Sequence, residues 1–185
     1  YFFQRAYDQI IHDVCIPDLP VTFCVDRAGI VGADGETHQG ILDLSFFGSI
    51  PGMTICAPKN KYELYDMMKF SLNFGHPLAI RYPRGDAYEG ERDHRAPIVC
   101  GKSELLYQGE QVALIAVGSM VETAVQVKNY LAEEGLAATV VNARFIKPLD
   151  TDMLDMLSEK HNMIVTMEEN VIRGGFGEAV SDYYM

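Results

Sequence analysis

Tryptophan is missing from the 185 residues, and cysteine and basic residues are scarce. The few cysteines form no CxxC pair and no zinc-like spacing, which favours buried reduced thiols in a reducing, cytoplasmic compartment. They are Cys15, Cys24, Cys56 and Cys100. Fifteen Lys and Arg against 26 Asp and Glu leave a net charge of -11, which argues against binding of nucleic acid. No apolar run approaches the roughly 20 residues of a membrane span, so a membrane is not an expected partner. The His and Cys residues lack the spacing of metal ligands, so no metal site is expected.

The ends of the sequence indicate a piece of a longer protein. The chain starts at Tyr1, without an initiator Met, in a pattern that already predicts a helix, and it stops at Met185 shortly after another helix begins. We therefore expect a fragment. A hydrophobic content of 48% is enough for a packed core in one large domain or two small ones.

Apolar β-rich runs alternate with helical patterns in the first part of the chain. The predicted elements are a helix at 2–14, strands at 20–26 and 53–58, a helix at 61–74 and a strand at 77–83. Asn60 and Glu63 have the spacing of an N-cap and N3 pair at the start of the second helix. This alternation predicts a parallel sheet covered by helices over residues 1–86.

Residues 87–99 are polar, charged and without periodicity, and we interpret them as an interdomain linker. From residue 100 to 185 a second α/β unit is expected, with a hairpin turning at Gly109 and a capping box formed by Ser119 and Glu122. The expected fold is thus α/β, with two successive three-layer domains. The first sheet is expected to be parallel and the second mixed.

One glycine-rich loop, residues 26–40, follows the first predicted strand and carries polar side chains. Arg27, Asp34 and His38 provide a guanidinium, a carboxylate and an imidazole, which are the components for binding an anion and moving a proton. Ligands of parallel α/β sheets bind in loops after the carboxyl ends of strands. Composition alone leaves open a polar surface turn whose His and Asp cap the next helix.

A second candidate is the segment RYPRG, residues 81–85, at the end of the third strand. Arg81 is compatible with a structural pairing role, whereas Arg84 lies past the strand end, where an anion site is expected. Because guanidinium groups bind phosphate bidentately, we predict that Arg27 and Arg84 form a joint phosphate clamp. Solvated loop arginines are the alternative.

Two features near the end of the chain are assigned structural roles. The segment RGGFG, residues 173–177, lacks both GxGxxG and GK[ST] patterns, so we expect a tight strand-to-helix turn instead of a phosphate loop. Glu168 and Glu169 lie at the end of a predicted strand at 162–168. A contact with a neighbouring subunit is one interpretation of the pair, and a solvated strand end is the interpretation that we prefer.

The strings FFQRAYDQIIHDV, PVTFCVDRAGIVGADGETHQG, LDLSFF and RYPRG, in this order, resemble the pyrimidine-binding domain of the 1-deoxy-D-xylulose-5-phosphate synthases. VNARFIKPLD and EENVIRGGFG resemble the transketolase-like C-terminal domain of the same family. The resemblance implies a transketolase-like fold and a homodimer. It also implies condensation of pyruvate with glyceraldehyde 3-phosphate, giving 1-deoxy-D-xylulose 5-phosphate and carbon dioxide. The sugar phosphate product is a precursor of isoprenoids, thiamine and pyridoxal phosphate.

The resemblance also implies roles for individual residues. His38 and Asp34 are expected to be catalytic, His38 exchanging protons with the substrate and Asp34 orienting that network. Arg27 and Arg84 are expected to hold the phosphate of glyceraldehyde 3-phosphate. The alternatives within the enzyme class are a transketolase or a pyruvate dehydrogenase E1 β-type subunit, and from another class a non-catalytic dimerisation module.

The implied cofactors are thiamine diphosphate and Mg²⁺. Phe2 is expected to stack on the aminopyrimidine ring, and Arg5, one helical turn along, is a weaker candidate for the same cleft. The family's glutamate motif and its GDG…N diphosphate and magnesium motif are absent from this sequence. We therefore expect that an N-terminal domain of the same polypeptide completes the site, and that these 185 residues alone have no synthase activity.

Overall fold

The computed structural model describes residues 2–185, with side chains described from Phe3 onward. Within that range, eight strands form two four-stranded sheets, ordered β1-β3-β2-β7 and β4-β6-β5-β8. The strands are β1 (Thr22–Val25), β2 (Thr54–Cys56), β3 (Leu78–Arg81), β4 (Glu104–Tyr107), β5 (Val112–Ala116), β6 (Ala138–Asn142), β7 (Phe145–Lys147) and β8 (Met163–Met167). The predicted α/β class, with two successive sheet units, is confirmed.

Helices connect and cover these strands. They are α1 (Tyr7–Gln9), α2 (Asp43–Gly48), α3 (Lys61–Phe74), α4 (Met120–Glu133), α5 (Thr151–Lys160) and α6 (Phe176–Tyr184). The predicted helix at 2–14 is helical throughout but changes type, because a 3₁₀ turn at Phe2–Ala6 precedes α1 and a π-helix at Ile10–Cys15 follows it. The predicted cap of α3 is also present, since the Asn60 side chain accepts a hydrogen bond from Glu63 N.

Alternate residues of each strand enter different apolar clusters, as the two-residue period of a strand requires. In the first sheet, Ile55 and Ala79 face a central cluster with the N-terminal helix and α2, whereas Cys56 and Ile80 face α3. In the second sheet, the central cluster takes Ala113, Ile115 and Val141, and α4 covers Leu114, Ala116 and Val140. Both sheets thus share one central core and each has a helix layer on its outer face.

The first sheet differs from the prediction of a purely parallel sheet. Strands β1, β3 and β2 are parallel, but β7 pairs antiparallel with β2, with Ile55 opposite Lys147 and Cys56 opposite Phe145. Strand β7 comes from the second half of the chain. The first sheet is therefore mixed, and one of its strands is supplied from beyond the irregular segment at 87–99.

The second sheet corrects two further predictions. Strand β4 pairs antiparallel with β6, not with β5, so the expected hairpin around Gly109 does not form. The predicted capping box at the start of α4 is also wrong. Ser119 makes no side-chain cap and instead donates a hydrogen bond to Glu169 Oε2 over 2.5 Å.

The expectation of buried thiols holds for only part of the set. Cys15 and Cys56 are buried, whereas Cys24 and Cys100 are exposed. Cys24 lies on β1, an edge strand of the first sheet, and Cys100 directly follows the irregular segment at 87–99. All four are free thiols.

Candidate functional site

The base of the loop at 26–40 is closed by two glycines. Gly29 N donates to Gly40 O over 3.1 Å, and Gly40 N donates to Gly29 O over 2.7 Å. Gly29 has a φ of +76°, and a Cβ on Gly40 would lie 2.1 Å from Arg27 O, so neither position accepts a side chain. The two ends of the loop are therefore held together at one fixed point.

Gln39 fixes the interior of the loop. Its Oε1 accepts from Val31 N over 2.6 Å, and its Nε2 donates to Val31 O and Gly35 O over 2.9 and 2.6 Å. One amide side chain thus satisfies three backbone groups, which holds the intervening 3₁₀ turn at Gly32–Asp34 in place.

The two arginines of the predicted clamp converge on Asp34. Arg27 Nε donates to Asp34 Oδ2 over 2.7 Å, and Arg84 Nη1 donates to Asp34 Oδ1. The Asp34 side chain is only 12% exposed, whereas those of Arg27 and Arg84 are 39% and 48% exposed. Arg27 reaches this position with a positive φ of 57°. The two guanidinium groups thus share one anionic partner while keeping faces open to solvent.

His38 and Arg27 line a cavity that also includes residues near the start of the chain. Thr37 Oγ1 and His38 Nδ1 are 2.8 Å apart, a hydrogen-bond distance. The cavity lining is Phe3, Gln4, Val25, Asp26, Arg27, His38, Gln39, Gly40, Leu42, Asp43 and Phe46. A lining of aromatic and aliphatic side chains with a few polar groups is typical of small-molecule sites.

Asp43, one of the cavity-lining residues, belongs to a buried charge pair. Arg81 Nε and Asp43 Oδ2 are 3.6 Å apart, and the side chains are 4% and 15% exposed. Among the described residues these two atoms are the buried side-chain polar atoms without a hydrogen bond. Burial raises the pKa of the Asp43 carboxyl, and the nearby Arg81 guanidinium opposes that rise.

The segment after β8 holds the end of the loop from the second half of the chain. Val171 N donates to Ile41 O over 2.9 Å, and Leu44 N donates to Asn170 Oδ1 over 3.2 Å. Asn170 Nδ2 in turn donates to Ser45 Oγ over 2.9 Å. The start of α2 is therefore fixed by residues that lie more than 120 positions later in the sequence.

Glu168 and Glu169 do not form the solvated strand end that we expected. Glu168 accepts hydrogen bonds from Phe176 N and Gly177 N, over 2.9 and 2.8 Å, at the start of α6. Glu169 contacts Ser119 and the loop base. The predicted strand-to-helix turn at 173–177 is present, since α6 begins at Phe176.

The structure brings Arg27, Asp34 and Arg84 together and places His38 beside the cavity. Arg5 is exposed and is not among the cavity-lining residues, where Phe3 and Gln4 lie instead. The side chain of Phe2, the expected stacking residue, lies outside the described residues.

The sequence predicts no site role for four further residues of this region: Gln4, Gln39, Asp43 and Glu169, the last of which is predicted at a strand end. No local pattern separates them from ordinary surface polar residues. Their positions depend on contacts between distant segments.

Within residues 2–185 no group of three or more His, Cys, Asp or Glu side chains is placed to hold a metal ion. In that same range, no helix has the length and apolar character needed to cross a membrane.

The fold and the loop define a pair of domains found in transketolases. Residues 1–89 match the family described as transketolase, pyrimidine binding domain, and residues 101–185 match transketolase, C-terminal domain. The chain is 59% identical over 180 residues to 1-deoxy-D-xylulose-5-phosphate synthase of Lachnoclostridium phytofermentans and 51% identical over 183 residues to that of Halothermothrix orenii. It belongs to the 1-deoxy-D-xylulose-5-phosphate synthase family, whose members are thiamine-diphosphate enzymes.

These alignments cover 97% and 98% of this chain but 29% of each relative. Among solved structures, a split-gene transketolase in the form of an inactive β4 tetramer matches with a TM-score of 0.84 and 30% identity, over 97% of this chain and 58% of that one. Transketolase from Campylobacter jejuni matches with a TM-score of 0.69 and 19% identity, over 98% and 32% of the two chains, a likeness of fold.

Proposed function

We propose that this chain is part of a synthase that condenses pyruvate with glyceraldehyde 3-phosphate to give 1-deoxy-D-xylulose 5-phosphate and carbon dioxide. The observation that carries the proposal is the convergence of Arg27 and Arg84 on the single carboxylate of Asp34. Two guanidinium groups at the carboxyl ends of neighbouring strands suit a phosphate monoester. In this proposal the substrate phosphate displaces Asp34 from one or both arginines.

The cavity beside His38 suits one part of thiamine diphosphate, its aminopyrimidine ring. Phe3, Leu42 and Phe46 offer apolar surface, and Gln4 offers a side-chain amide that can bond ring nitrogens. When bound, the cofactor supplies the carbon nucleophile of the condensation. In this proposal His38, which lines the cavity, holds or moves a proton at a substrate oxygen, and Asp34 orients Arg27 beside it.

We also propose the domain boundaries, the missing domain, the assembly and the location of this enzyme. The pyrimidine-binding domain spans residues 1–86, residues 87–99 form a linker and residues 100–185 form the C-terminal domain. Mg²⁺ and the cofactor diphosphate are held by an N-terminal domain of the same polypeptide. The enzyme is a cytoplasmic homodimer, and its product supplies isoprenoid, thiamine and pyridoxal synthesis.

We further propose that the 185 residues alone have no synthase activity. The split-gene transketolase that aligns with 97% of this chain forms an inactive β4 tetramer. Self-association without turnover is therefore the behaviour we expect from the isolated chain. Turnover by pure chain, with both substrates, thiamine diphosphate and Mg²⁺, contradicts this proposal.

The experiment that tests the function uses the longer polypeptide in which we propose this chain lies. It is assayed for carbon dioxide release and product formation from pyruvate and glyceraldehyde 3-phosphate. Arg84→Met is expected to raise the KM for glyceraldehyde 3-phosphate about tenfold or more, because a charge-assisted hydrogen bond is lost. The KM for unphosphorylated glyceraldehyde should change little.

The matched control is Arg173→Met, since the Arg173 side chain is 93% exposed. It should leave both KM values near those of the unaltered enzyme. Two-carbon transfer from a ketose phosphate, without use of pyruvate, would instead assign the chain to a transketolase. Equal effects of Arg84→Met on both acceptors would remove the phosphate-binding role.

A further inference from the structure

The side chain of Glu169 lies against the base of the arginine loop. A Cβ on Gly29 would be 2.5 Å from both the carboxyl carbon and Oε1 of Glu169, so the carboxylate fills the space above this glycine. Ser119 Oγ donates to Glu169 Oε2 over 2.5 Å and fixes the carboxylate in this orientation. Both Ser119 and Glu169 belong to the second half of the chain, whereas the loop belongs to the first.

The backbone of Glu169 is tied to the other side of the loop base. Arg81 Nη2 donates to Glu169 O over 2.7 Å and to Gly40 O over 2.8 Å. Gly40 is the hydrogen-bond partner of Gly29 in the bridge that closes the loop. Glu169 therefore contacts one closing glycine directly and reaches the other through a buried arginine.

The carboxylate of Glu169 also carries charge into the arginine site. Glu169 and Arg84 line the same cavity, whose other lining residues are Ala28, Ile30, Val31, Gly32, Ala33, Pro83 and Gly85. Apart from Arg84 and Glu169, that lining is uncharged. A carboxylate here opposes a second negative charge on an anion held by Arg84.

We propose that Glu169 is a positioning and specificity-determining residue for the site of Arg27 and Arg84. Its contacts with Gly29 and Arg81 set the loop base, and its charge weakens binding of doubly charged phosphate. The inference rests on the proposed function only in taking a phosphate group as the ligand. Under this proposal, a residue from the second half of the chain helps to select the anion that binds to the arginines of the first half.

Two measurements on the 185-residue chain separate these effects, with inorganic phosphate as the probe. Amide hydrogen exchange at Gly29 and Gly40 reports the loop base, and titration calorimetry reports phosphate affinity. Glu169→Ala is expected to speed exchange at both amides about tenfold and to weaken phosphate binding, because the contact above Gly29 is lost. Ser119→Ala, a milder change, should shift exchange in the same direction.

Glu169→Gln keeps the size of the side chain and an oxygen that accepts from Ser119. It should leave exchange near that of the unaltered chain and tighten phosphate binding about two- to fivefold, an effect that a purely structural residue would not give. The control is Glu159→Ala at an exposed position of α5, which should change neither quantity.

The proposal is overturned if Glu169→Ala and Ser119→Ala both exchange like the unaltered chain at Gly29 and Gly40. It is also overturned if Glu169→Gln binds phosphate no more tightly than the unaltered chain does. Failure of the unaltered chain to bind phosphate removes the proposed anion site itself and the specificity role with it. The exchange rates would still decide whether Glu169 positions the loop.

Discussion

Arg144 Nε donates a hydrogen bond to Glu63 Oε1 over 2.6 Å, and the two side chains are 2% and 3% exposed. Glu63 lies in the first turn of α3, and Arg144 lies between β6 and β7. Lys59 Nζ contacts Glu63 and also Glu104 Oε2, over 3.2 and 2.6 Å. Two carboxylates and two cations thus form a buried, charge-balanced network that joins the two halves.

Removal of one member should destabilise the protein strongly. Arg144→Met leaves Glu63 short of a donor and also frees the carbonyls of Ala96 and Pro97, which Arg144 now bonds. We expect a loss of about 3–5 kcal/mol in the free energy of unfolding, since a buried charge is left without its partner. Urea denaturation followed by circular dichroism measures this.

The control for that experiment is Arg95→Met. Arg95 forms a bidentate pair with Asp66, but at the surface, where such pairs contribute little. Its urea midpoint should remain close to that of the unaltered chain. An unaltered midpoint for Arg144→Met would contradict the stabilising role of the network.

The Asp34 carboxylate accepts hydrogen bonds from both Arg27 and Arg84, so it should compete with an incoming anion. Asp34→Asn removes the charge but keeps the shape, so binding of inorganic phosphate to the chain should tighten about tenfold. Asp26→Asn is the matched control, since Asp26 also pairs with Arg27, at 3.2 Å, but its side chain is 60% exposed. Calorimetry should show less than about a twofold change for that variant. Equal affinities for the two variants would argue against competition.

Asp43 predicts a pH dependence of stability. Burial raises its pKa above the usual 3.8 and nearby Asp26 adds to the rise, while Arg81 opposes it. The folded state therefore binds more protons than the unfolded state between the two pKa values, and stability from this group falls as pH rises through that window. The Asp43→Asn variant has no titrating carboxyl at this position, so its free energy of unfolding does not fall in this pH window for that reason.

The free energy of unfolding of Asp43→Asn, relative to the unaltered chain, should therefore increase from about pH 4 upward and then level off. Urea denaturation at several pH values measures the difference. A difference that is constant with pH, or that decreases on going to neutral pH, would show that the carboxyl of Asp43 titrates normally.

Glu168 stabilises the start of α6. Its carboxylate accepts from two backbone amides of the first turn, which otherwise lack partners. Glu168→Ala should cost about 1–2 kcal/mol in unfolding free energy, as loss of a helix cap typically does. Thermal and urea unfolding measure the change, and Glu159→Ala again serves as the control. Equal stabilities of the two variants would contradict the capping role.

The thiols should fall into two reactivity groups. Cys24 and Cys100 are exposed, and partial burial raises the pKa of the Cys100 thiol, so Cys24 should react first with a thiol reagent. Burial also raises the pKa values of Cys15 and Cys56, which should react only on unfolding. Mass spectrometry after limited alkylation locates the modified residues. Early labelling of Cys56 would contradict the packing of β2.

The sequence predicts the elements whose signals are local. Apolar periodicity locates the N-terminal helix and α3, and Asn60 marks the start of α3 because a cap depends on neighbours three residues away. Strand β7 (Phe145–Lys147) escapes prediction because it begins only three positions after β6 ends, with no Gly or Pro to mark a break between them. The partner of β4 escapes it too, because pairing is decided between distant strands.

The candidate site also has features with local sequence signals and features that depend on distant contacts. The loop at 26–40 and Arg84 are recognisable from residue types and their positions after strands. The shared contact of Arg27 and Arg84 with Asp34 depends on the packing of β1 beside β3, and the contact of Glu169 with Gly29 depends on the packing of the two halves. These contacts join segments that are far apart in the sequence, so no local spacing of residues predicts them.

The antiparallel pairing of β7 with β2 limits where the gene can be divided. A polypeptide that ends before residue 100 would leave the buried β2 (Thr54–Cys56) as an open sheet edge, with unpaired amide and carbonyl groups. Such edges recruit strands from other molecules and promote aggregation. The irregular segment at 87–99 is therefore a poor site for truncation, although its composition marks it as a domain boundary.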